Sequence, residues 1–258
     1  MFDYIEQGDC IDLMSEIPDE FIDLTITSPP YDDLRKYNGY SFDFESTAKE
    51  LYRVTKKGGV VVWVVGDQTS NGSESGTSFK QALYFKEIGF NLHDTMIYRK
   101  LNYMPLNHNR YEQEFEYMFV LSKGKPKTFN PIMIPCKYAG QETWGAPSYH
   151  KTNSSGLVST SKKKINDTKQ HGNIFEYFTN KTKETKGHPA PYPEQLVQDQ
   201  ILSWSNEGDI VLDPFLGSGT TAKIAILNCR HYIGFEISEQ YFEIAKARVE
   251  GAKKKISR

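Results

Sequence analysis

The sequence feature that most limits the fold is a continuous apolar run, GVVVWVVGD, at residues 59–67. Such a run is typical of a strand buried on both faces, as strands are in a parallel sheet covered by helices. Strand and helix patterns alternate around it: FIDLTIT precedes it and the amphipathic SFKQALYFKEIGF follows it. The chain is therefore predicted to be an α/β protein with a doubly wound parallel sheet.

Changes in periodicity along the chain indicate its organisation. The helical pattern DFESTAKELYRVT is predicted to end at Gly58 and Gly59. Between residues 129 and 171 the patterns fade, and Ser, Thr, Asn, Gly and Lys dominate. Strands and helices then resume. We therefore expect one half of an α/β domain at 1–128, an irregular insertion at 129–171, and the other half at 172–258.

Charge is distributed unevenly along the sequence, although the net charge of the whole chain is only −2. Residues 121–170 contain nine Lys and two acidic residues, a net charge of +7, which leaves −9 on the rest. A basic face on an acidic body suits a nucleic-acid partner. A solvated lysine-rich loop explains the same charges equally well, so charge alone leaves both open.

Several classes of protein are disfavoured by composition. No apolar run reaches the length that spans a membrane, and no signal-peptide pattern follows Met1. The cysteines at 10, 136 and 229 lie far apart, without the spacing of a zinc site. The expectation is a cytoplasmic protein without a metal site.

A glycine loop near the end of the chain indicates a ligand. VLDPFLGSGTTA (211–222) leaves a strand, turns through Gly217 and Gly219, and enters a helix. Residues 217–222 fit the G-x-G-x-x-(G/A) dinucleotide template, and Glu236 ends the next strand, where such folds place an acid for ribose hydroxyls. An adenosine-containing ligand is predicted, either a dinucleotide or S-adenosylmethionine. Glycines that serve only a tight turn are the alternative.

The order of the elements separates the two ligands. A dinucleotide-dependent dehydrogenase usually opens with its glycine strand, whereas here that strand comes close to the end of the chain. The Asp-Pro-Phe at 213–215 is also foreign to the dinucleotide fingerprint. Both features favour S-adenosylmethionine over NAD.

A second unusual segment is Ser28-Pro29-Pro30-Tyr31, which closes the strand FIDLTIT. Two prolines remove two backbone donors and fix two φ angles, so the strand must end there. The result is a nearly rigid arch that carries a hydroxyl, a free carbonyl and an aromatic ring. Such an arch is suited to holding a ligand.

Four segments together resemble a known family: TSPPY, HPAPYPEQL, DPFLGSGTT and GFEIS, in that order. They are similar to motifs of the amino-group DNA methyltransferases, in particular the permuted β class, in which the catalytic motif comes first and the cofactor motif last. The resemblance implies a Rossmann-like methyltransferase sheet with a target-recognition insertion at 129–171. It also implies S-adenosylmethionine as cofactor and double-stranded DNA as substrate.

The resemblance also assigns residues to the cofactor. The family's motifs map onto Asp9, Cys10, His188, Ala190, Asp213, Pro214, Phe215, Gly217, Ser218, Gly219, Thr220 and Glu236. Asp9 would meet the adenine amino group, the glycine loop the methionine end, and Glu236 the ribose. Asp9 is equally explained as a helix N-cap, and His188 as part of a proline-stiffened loop.

The catalytic assignment falls on Ser28, Pro29, Pro30 and Tyr31. An exocyclic amino nitrogen is a poor nucleophile because its lone pair is delocalised into the ring. Acceptors outside the ring plane, the Ser28 hydroxyl and the Pro29 carbonyl, would free that lone pair, and Tyr31 would stack on the flipped base. In this family Ser before the prolines is commoner in cytosine-N4 enzymes and Asp or Asn in adenine-N6 enzymes. Cytosine N4 is therefore favoured, with adenine N6 as the alternative.

Several alternatives and partners are left open by the sequence. Cys136 follows a proline, as the nucleophile of cytosine carbon-5 methyltransferases does, but its irregular surroundings favour a structural role. Asp32 and Asp33 are expected to be solvated. A catalytically inactive DNA-binding protein and an NAD-dependent enzyme are the other functional hypotheses. A homodimer and a cognate restriction endonuclease are candidate partners.

Overall fold

The computed structural model of the chain describes residues 2–30, 42–103, 105, 109–143, 152–153, 156–157, 163–179, 184 and 193–256. The strands of the main sheet are β1 (Tyr4–Gln7), β2 (Ile22–Thr27), β3 (Thr55–Val65), β4 (Asn91–Lys100), β5 (Phe115–Ser122), β6 (Ile174–Tyr177), β7 (Ile210–Asp213) and β8 (His231–Glu236). The helices are α1 (Cys10–Ser15), α2 (Phe44–Val54), α3 (Thr77–Glu87), α4 (Glu194–Trp204), α5 (Thr220–Leu227) and α6 (Glu239–Ile256).

These eight strands form one sheet in the order β1-β8-β7-β2-β3-β5-β4-β6. All neighbours pair in parallel except that β5 is antiparallel to both β3 and β4. The exception follows from the connection, because the described residues between β4 and β5 form no crossover helix, which a parallel neighbour needs. The predicted α/β sheet is confirmed, with this one antiparallel strand as an addition.

The apolar run predicted to be a central strand is β3, whose residues from Val60 to Val65 are all buried. Its alternate side chains Val61, Trp63 and Val65 pack in one core with α1, α2 and α3. Helix α5 packs against both α4 and α6 in a second group. Helices on both faces of the sheet are the arrangement that a strand buried on both faces requires.

Helix α2 ends earlier than the sequence predicts. It stops at Val54, and β3 begins at Thr55 rather than after Gly58 and Gly59. Thr55 caps the helix through its hydroxyl, which donates to the Leu51 carbonyl at 2.6 Å. It also pairs with Ile22 at the start of β2. Pairing with the neighbouring strand therefore overrides the glycine stop signal.

The chain divides into two compact units, residues 1–130 with 173–258, and residues 131–172. The second unit contains two short strand pairs, Met133–Pro135 with Thr168–Gln170 and Thr152–Asn153 with Gly156–Leu157. Its limits lie within two residues of those of the predicted insertion, and its role in target recognition stays a prediction. In the described part of the chain, no helix is both long and apolar enough to cross a bilayer.

Candidate active site

The site lies at the carboxyl edge of the sheet, where four parallel strands end side by side. In sheet order these are β1, β8, β7 and β2. The predicted Asp9, Ser28 and glycine loop follow β1, β2 and β7, and the predicted Glu236 ends β8. Crevices at the carboxyl ends of such strands are where α/β folds bind ligands. The topology therefore brings together segments more than 200 residues apart.

Asp213, the last residue of β7, joins the catalytic segment to the glycine loop. Its carboxylate is completely buried and accepts hydrogen bonds from the Thr27 and Thr221 hydroxyls, each at 2.6 Å, and from the Phe215 N–H at 3.1 Å. Thr27 directly precedes Ser28, and Thr221 lies in the first turn of α5. One buried carboxylate thus fixes the end of β2 relative to the start of α5.

The glycine loop has backbone angles that other residues resist. Gly217 and Gly219 have φ values of +53° and +79°. A Cβ at Gly219 would lie 2.8 Å from the Cα of Ala245 in α6, so the helix backbone approaches too closely for any side chain. Gly219 is also the residue that precedes α5. The loop is therefore a tight turn that directs the N-terminus of α5 toward the edge of the sheet.

Glu236 ends β8 and faces the same loop. One carboxylate oxygen accepts the Gly217 N–H and the other accepts the Ser238 N–H, both at 2.8 Å. Burial raises the pKa of the Glu236 carboxyl above its usual range, and the two backbone donors partly oppose that shift. An ionised carboxylate oxygen has more than one acceptor site, so ligand hydroxyls can bind in addition to these donors.

Asp9 caps helix α1, as the alternative interpretation of this residue predicted. Its side chain accepts the Ile11 N–H at 2.8 Å and is exposed at the edge of the sheet. A cap uses one carboxylate oxygen, so the structure is compatible with both roles. The neighbouring Cys10 is buried, with its thiol 3.9 Å from the Thr47 hydroxyl, and burial raises the pKa of the thiol to about 12. Cys10 is therefore a neutral packing residue at ordinary pH.

The remaining predicted residues fall into four groups. Pro29 is buried and Ser28 and Pro30 are half-buried. Pro214 is buried, and the Phe215 ring packs edge-on against Phe42 with 5.2 Å between the centroids. Tyr31, Asp32, Asp33, His188 and Ala190 lie outside the described residues. Cys136 lies in the second unit, where its N–H donates to the Asp167 carbonyl at 2.8 Å.

Ser218 and Thr220 accept hydrogen bonds from a residue that was not predicted from the sequence. Arg248 of α6 is 5% exposed and donates to the carbonyl of Ser218 and to the hydroxyls of both loop residues. The sequence does contain a signal. Arg248 stands in the buried stripe of α6 with Ala245, Val249 and Ala252, where an arginine needs a buried partner.

The fold and this loop define a class of protein, the Rossmann-like methyltransferases. Residues 22–247 match the model of the DNA methylase family that modifies N6 or N4 amino groups. The chain belongs to this family, whose enzymes use S-adenosylmethionine, and it is therefore a DNA methyltransferase of the amino-group class.

Individual relatives agree with that assignment. Orphan methyltransferase M.BamHII of Bacillus amyloliquefaciens is 54% identical over 244 residues, with 92% of each chain covered. Type II methyltransferase M.BglII of Bacillus subtilis is 28% identical, with 96% of this chain and 69% of the relative covered. The structure of PvuII DNA methyltransferase (cytosine-N4-specific) has a TM-score of 0.72 at 20% identity, covering 96% of this chain and 86% of that one. The M1.HpyAVI–SAM complex has a TM-score of 0.63 at 25% identity, covering 95% and 98%.

Proposed function

We propose that this enzyme transfers the methyl group of S-adenosylmethionine to N4 of a cytosine flipped out of double-stranded DNA. The observation that carries the proposal is the Asp213 carboxylate, which holds Thr27 and Thr221 together. Through these two bonds Asp213 fixes the end of β2, which Ser28 and Pro29 follow, to the start of α5, which the glycine loop precedes. A methyl acceptor and a methyl donor would be held by these two segments.

The glycine loop and Glu236 fit the cofactor, which supplies an electrophilic methyl group on a sulfonium centre. The close approach of α6 requires residue 219 to lack a side chain, so the loop can form its tight turn there. Glu236 would accept the ribose hydroxyls and Asp9 the adenine amino group. His188 and Ala190 would lie along the methionine part. The test of these assignments is calorimetry: S-adenosylhomocysteine should bind and NAD should not, and binding of NAD alone would contradict them.

Ser28 and Pro29 would act on the amino group of the target base. The Ser28 hydroxyl and the Pro29 carbonyl accept its two hydrogens from outside the ring plane, which returns the lone pair to the nitrogen. Bound S-adenosylmethionine would supply the methyl group: an N–C bond would form as the C–S bond breaks, and the proton lost from nitrogen would pass to solvent. Positioning supplies most of the acceleration in such a transfer. Pro30 keeps the arch rigid, and Tyr31 would stack on the base.

The choice of cytosine N4 over adenine N6 rests on Ser28. A neutral hydroxyl stands where the adenine enzymes of this family commonly have Asp or Asn. The smaller base also suits an acceptor of shorter reach. Adenine N6 is the second candidate, because Ser-Pro-Pro-Tyr is compatible with it.

The lysine-rich second unit is proposed to contact DNA phosphates. We expect replacement of Lys162, Lys163 and Lys164 by alanine to weaken DNA binding and to make its salt dependence shallower by about one unit of slope per lost phosphate contact. Affinity for the cofactor should not change. Binding to duplex DNA, titrated at several salt concentrations, measures both quantities.

The chain provides a matched control in a second triple-lysine run, Lys253–Lys255 at the end of α6. Its replacement by alanine removes the same charge from another part of the molecule. We expect it to leave the salt slope nearly unchanged. If the two triple variants lose equal slope, the effect is one of net charge, and the second unit has no special role.

The pKa of Glu236 predicts a pH dependence of cofactor binding. Ribose hydroxyls donate to a carboxylate, so the ligand favours the ionised form of Glu236. Because burial raises the pKa of this carboxyl, affinity for S-adenosylhomocysteine should fall on acidification at a higher pH than an ordinary glutamate would produce. In Glu236→Gln this pH dependence should disappear and affinity should be lower throughout. Calorimetry from neutral to mildly acid pH tests this; a wild-type affinity independent of pH would contradict it.

A homodimer and an accompanying restriction endonuclease stay predictions. The relative at 54% identity is named an orphan methyltransferase, which favours an enzyme that acts without a dedicated nuclease. A cytoplasmic location is proposed because the substrate is DNA.

A further inference from the structure

Arg248 makes four hydrogen bonds through its guanidinium. Its guanidinium donates to the Ser218 carbonyl at 2.7 Å, to the Ser218 hydroxyl at 3.0 Å and to the Thr220 hydroxyl at 2.9 Å. All three acceptors belong to the glycine loop or the first turn of α5. These bonds attach the loop to α6.

The same guanidinium also binds the first residue of α4. It donates to Glu194 at 2.6 Å, and the same Glu194 oxygen accepts from Lys223 of α5 at 2.8 Å. Lys223 also pairs with Glu184 at 2.6 Å. Two nearly buried cations thus meet two carboxylates, so the cluster is neutral and its cations are paired, as burial requires.

Glu194 gives this cluster its significance. It immediately follows the segment HPAPYP at 188–193, which the family resemblance assigns to the methionine part of the cofactor. Arg248 therefore bonds directly to one cofactor segment, the glycine loop. It also bonds to Glu194, the residue that directly follows the other cofactor segment. Pro193, the last residue of one segment, and Gly217, the first glycine of the other, are 24 residues apart in sequence.

We propose that Arg248 is a positioning residue for the cofactor, which fixes the glycine loop to the start of α4 through Glu194. The proposal rests on the proposed function, because it assumes that both segments hold S-adenosylmethionine. A loop with two glycines is intrinsically mobile, so its backbone donors need an external support to keep their direction. The planar fork of arginine binds several acceptors at fixed angles, which the single ammonium of lysine does not reproduce.

A second buried arginine offers a matched control. Arg230 precedes β8 at the opposite edge of the sheet and donates to the Ser205 hydroxyl and carbonyl and to the Asn228 carbonyl. Its burial, 9% exposed against 5% for Arg248, and its number of acceptors are similar. Among the described residues, the hydrogen-bond acceptors of the Arg230 guanidinium include none that is assigned to the site. Loss of the Arg230 guanidinium should therefore lower the stability of the fold and leave cofactor binding unchanged.

The test compares Arg248→Lys with Arg230→Lys at a temperature well below both melting points. We expect Arg248→Lys to weaken S-adenosylhomocysteine binding by about tenfold or more, as misplacement of a binding group does. Its KM for S-adenosylmethionine should rise while kcat stays within about twofold of wild type, because bound cofactor and transition state lose the same contacts. Arg230→Lys should lower the melting temperature and leave both constants unchanged.

An unchanged affinity in Arg248→Lys would overturn the proposal, and so would an equal loss in Arg230→Lys. If Arg248→Lys is recovered unfolded, Glu194→Gln is judged by the same criteria, since it weakens the link to α4 and retains the shape of the side chain. Wild-type enzyme that fails to bind S-adenosylhomocysteine would instead contradict the proposed function, so the two failures are distinguishable.

Discussion

Replacement of Ser28 by alanine is expected to slow methyl transfer by about a hundredfold, comparable with the loss of one preorganised polar group at other active sites. Affinity for S-adenosylmethionine should stay close to that of the wild type. The hydroxyl accepts a hydrogen from an amino nitrogen that becomes tetrahedral, so its contribution is larger in the transition state than in the ground state. Single-turnover rates on duplex DNA, together with cofactor calorimetry, measure the two effects separately.

Ser122 provides the control for this substitution. It ends β5 at the opposite edge of the sheet, where its buried hydroxyl donates to the Gly124 carbonyl at 2.8 Å. Ser122→Ala removes an equivalent group and should change neither the rate nor the affinity. If Ser28→Ala loses rate and cofactor affinity in equal measure, Ser28 only shapes the turn between β2 and the prolines.

The second large effect is expected at Gly219. In Gly219→Ala the new Cβ would stand 2.8 Å from the Cα of Ala245, and the residue would keep a φ of +79°. Either the loop or α6 must move, so we expect affinity for S-adenosylhomocysteine to fall by about a hundredfold or more, as a displacement of about 1 Å can cause. Calorimetry and thermal denaturation of the purified variant measure the effect.

A substitution at Gly76 serves as the control that distinguishes backbone strain from steric conflict. It also precedes a helix, α3, with a φ of +65°, but a Cβ there would meet nothing within 4 Å. Gly76→Ala should therefore show only the cost of the left-handed conformation, about 1–2 kcal/mol. Equal destabilisation in both variants, with cofactor binding intact in Gly219→Ala, would show that the approach of α6 is unimportant.

Local patterns were sufficient to predict the sheet. The run at 59–67 predicted a strand buried on both faces, and β3 is such a strand. Parallel strands bring their carboxyl ends to one edge, so residues at strand ends such as Glu236 could be assigned to a common site before the sheet order was known. The family resemblance supplied the permuted order and the chemistry.

Features that depend on tertiary contacts were not predicted. Helix α2 ends at Val54 because Thr55 pairs with Ile22 of a distant strand, which the glycine signal does not encode. The antiparallel direction of β5 follows from how the chain returns from β4. The position of Arg248 in the buried stripe of α6 indicates that it needs a partner, but the sequence does not identify that partner. Its acceptors Ser218, Thr220 and Glu194 are known only from the structure.

The central claim is that this enzyme methylates an exocyclic amino group of DNA with S-adenosylmethionine. The most direct measurement is to incubate the purified enzyme with duplex DNA and isotopically labelled S-adenosylmethionine, digest the DNA to nucleosides, and identify the labelled product by mass spectrometry. We predict label in N4-methylcytosine that is strongly reduced in Ser28→Ala. Label in N6-methyladenine instead would replace the proposed base and keep the account of the site. Label in 5-methylcytosine, or in no nucleoside while the enzyme binds S-adenosylhomocysteine and duplex DNA, would contradict the claim itself.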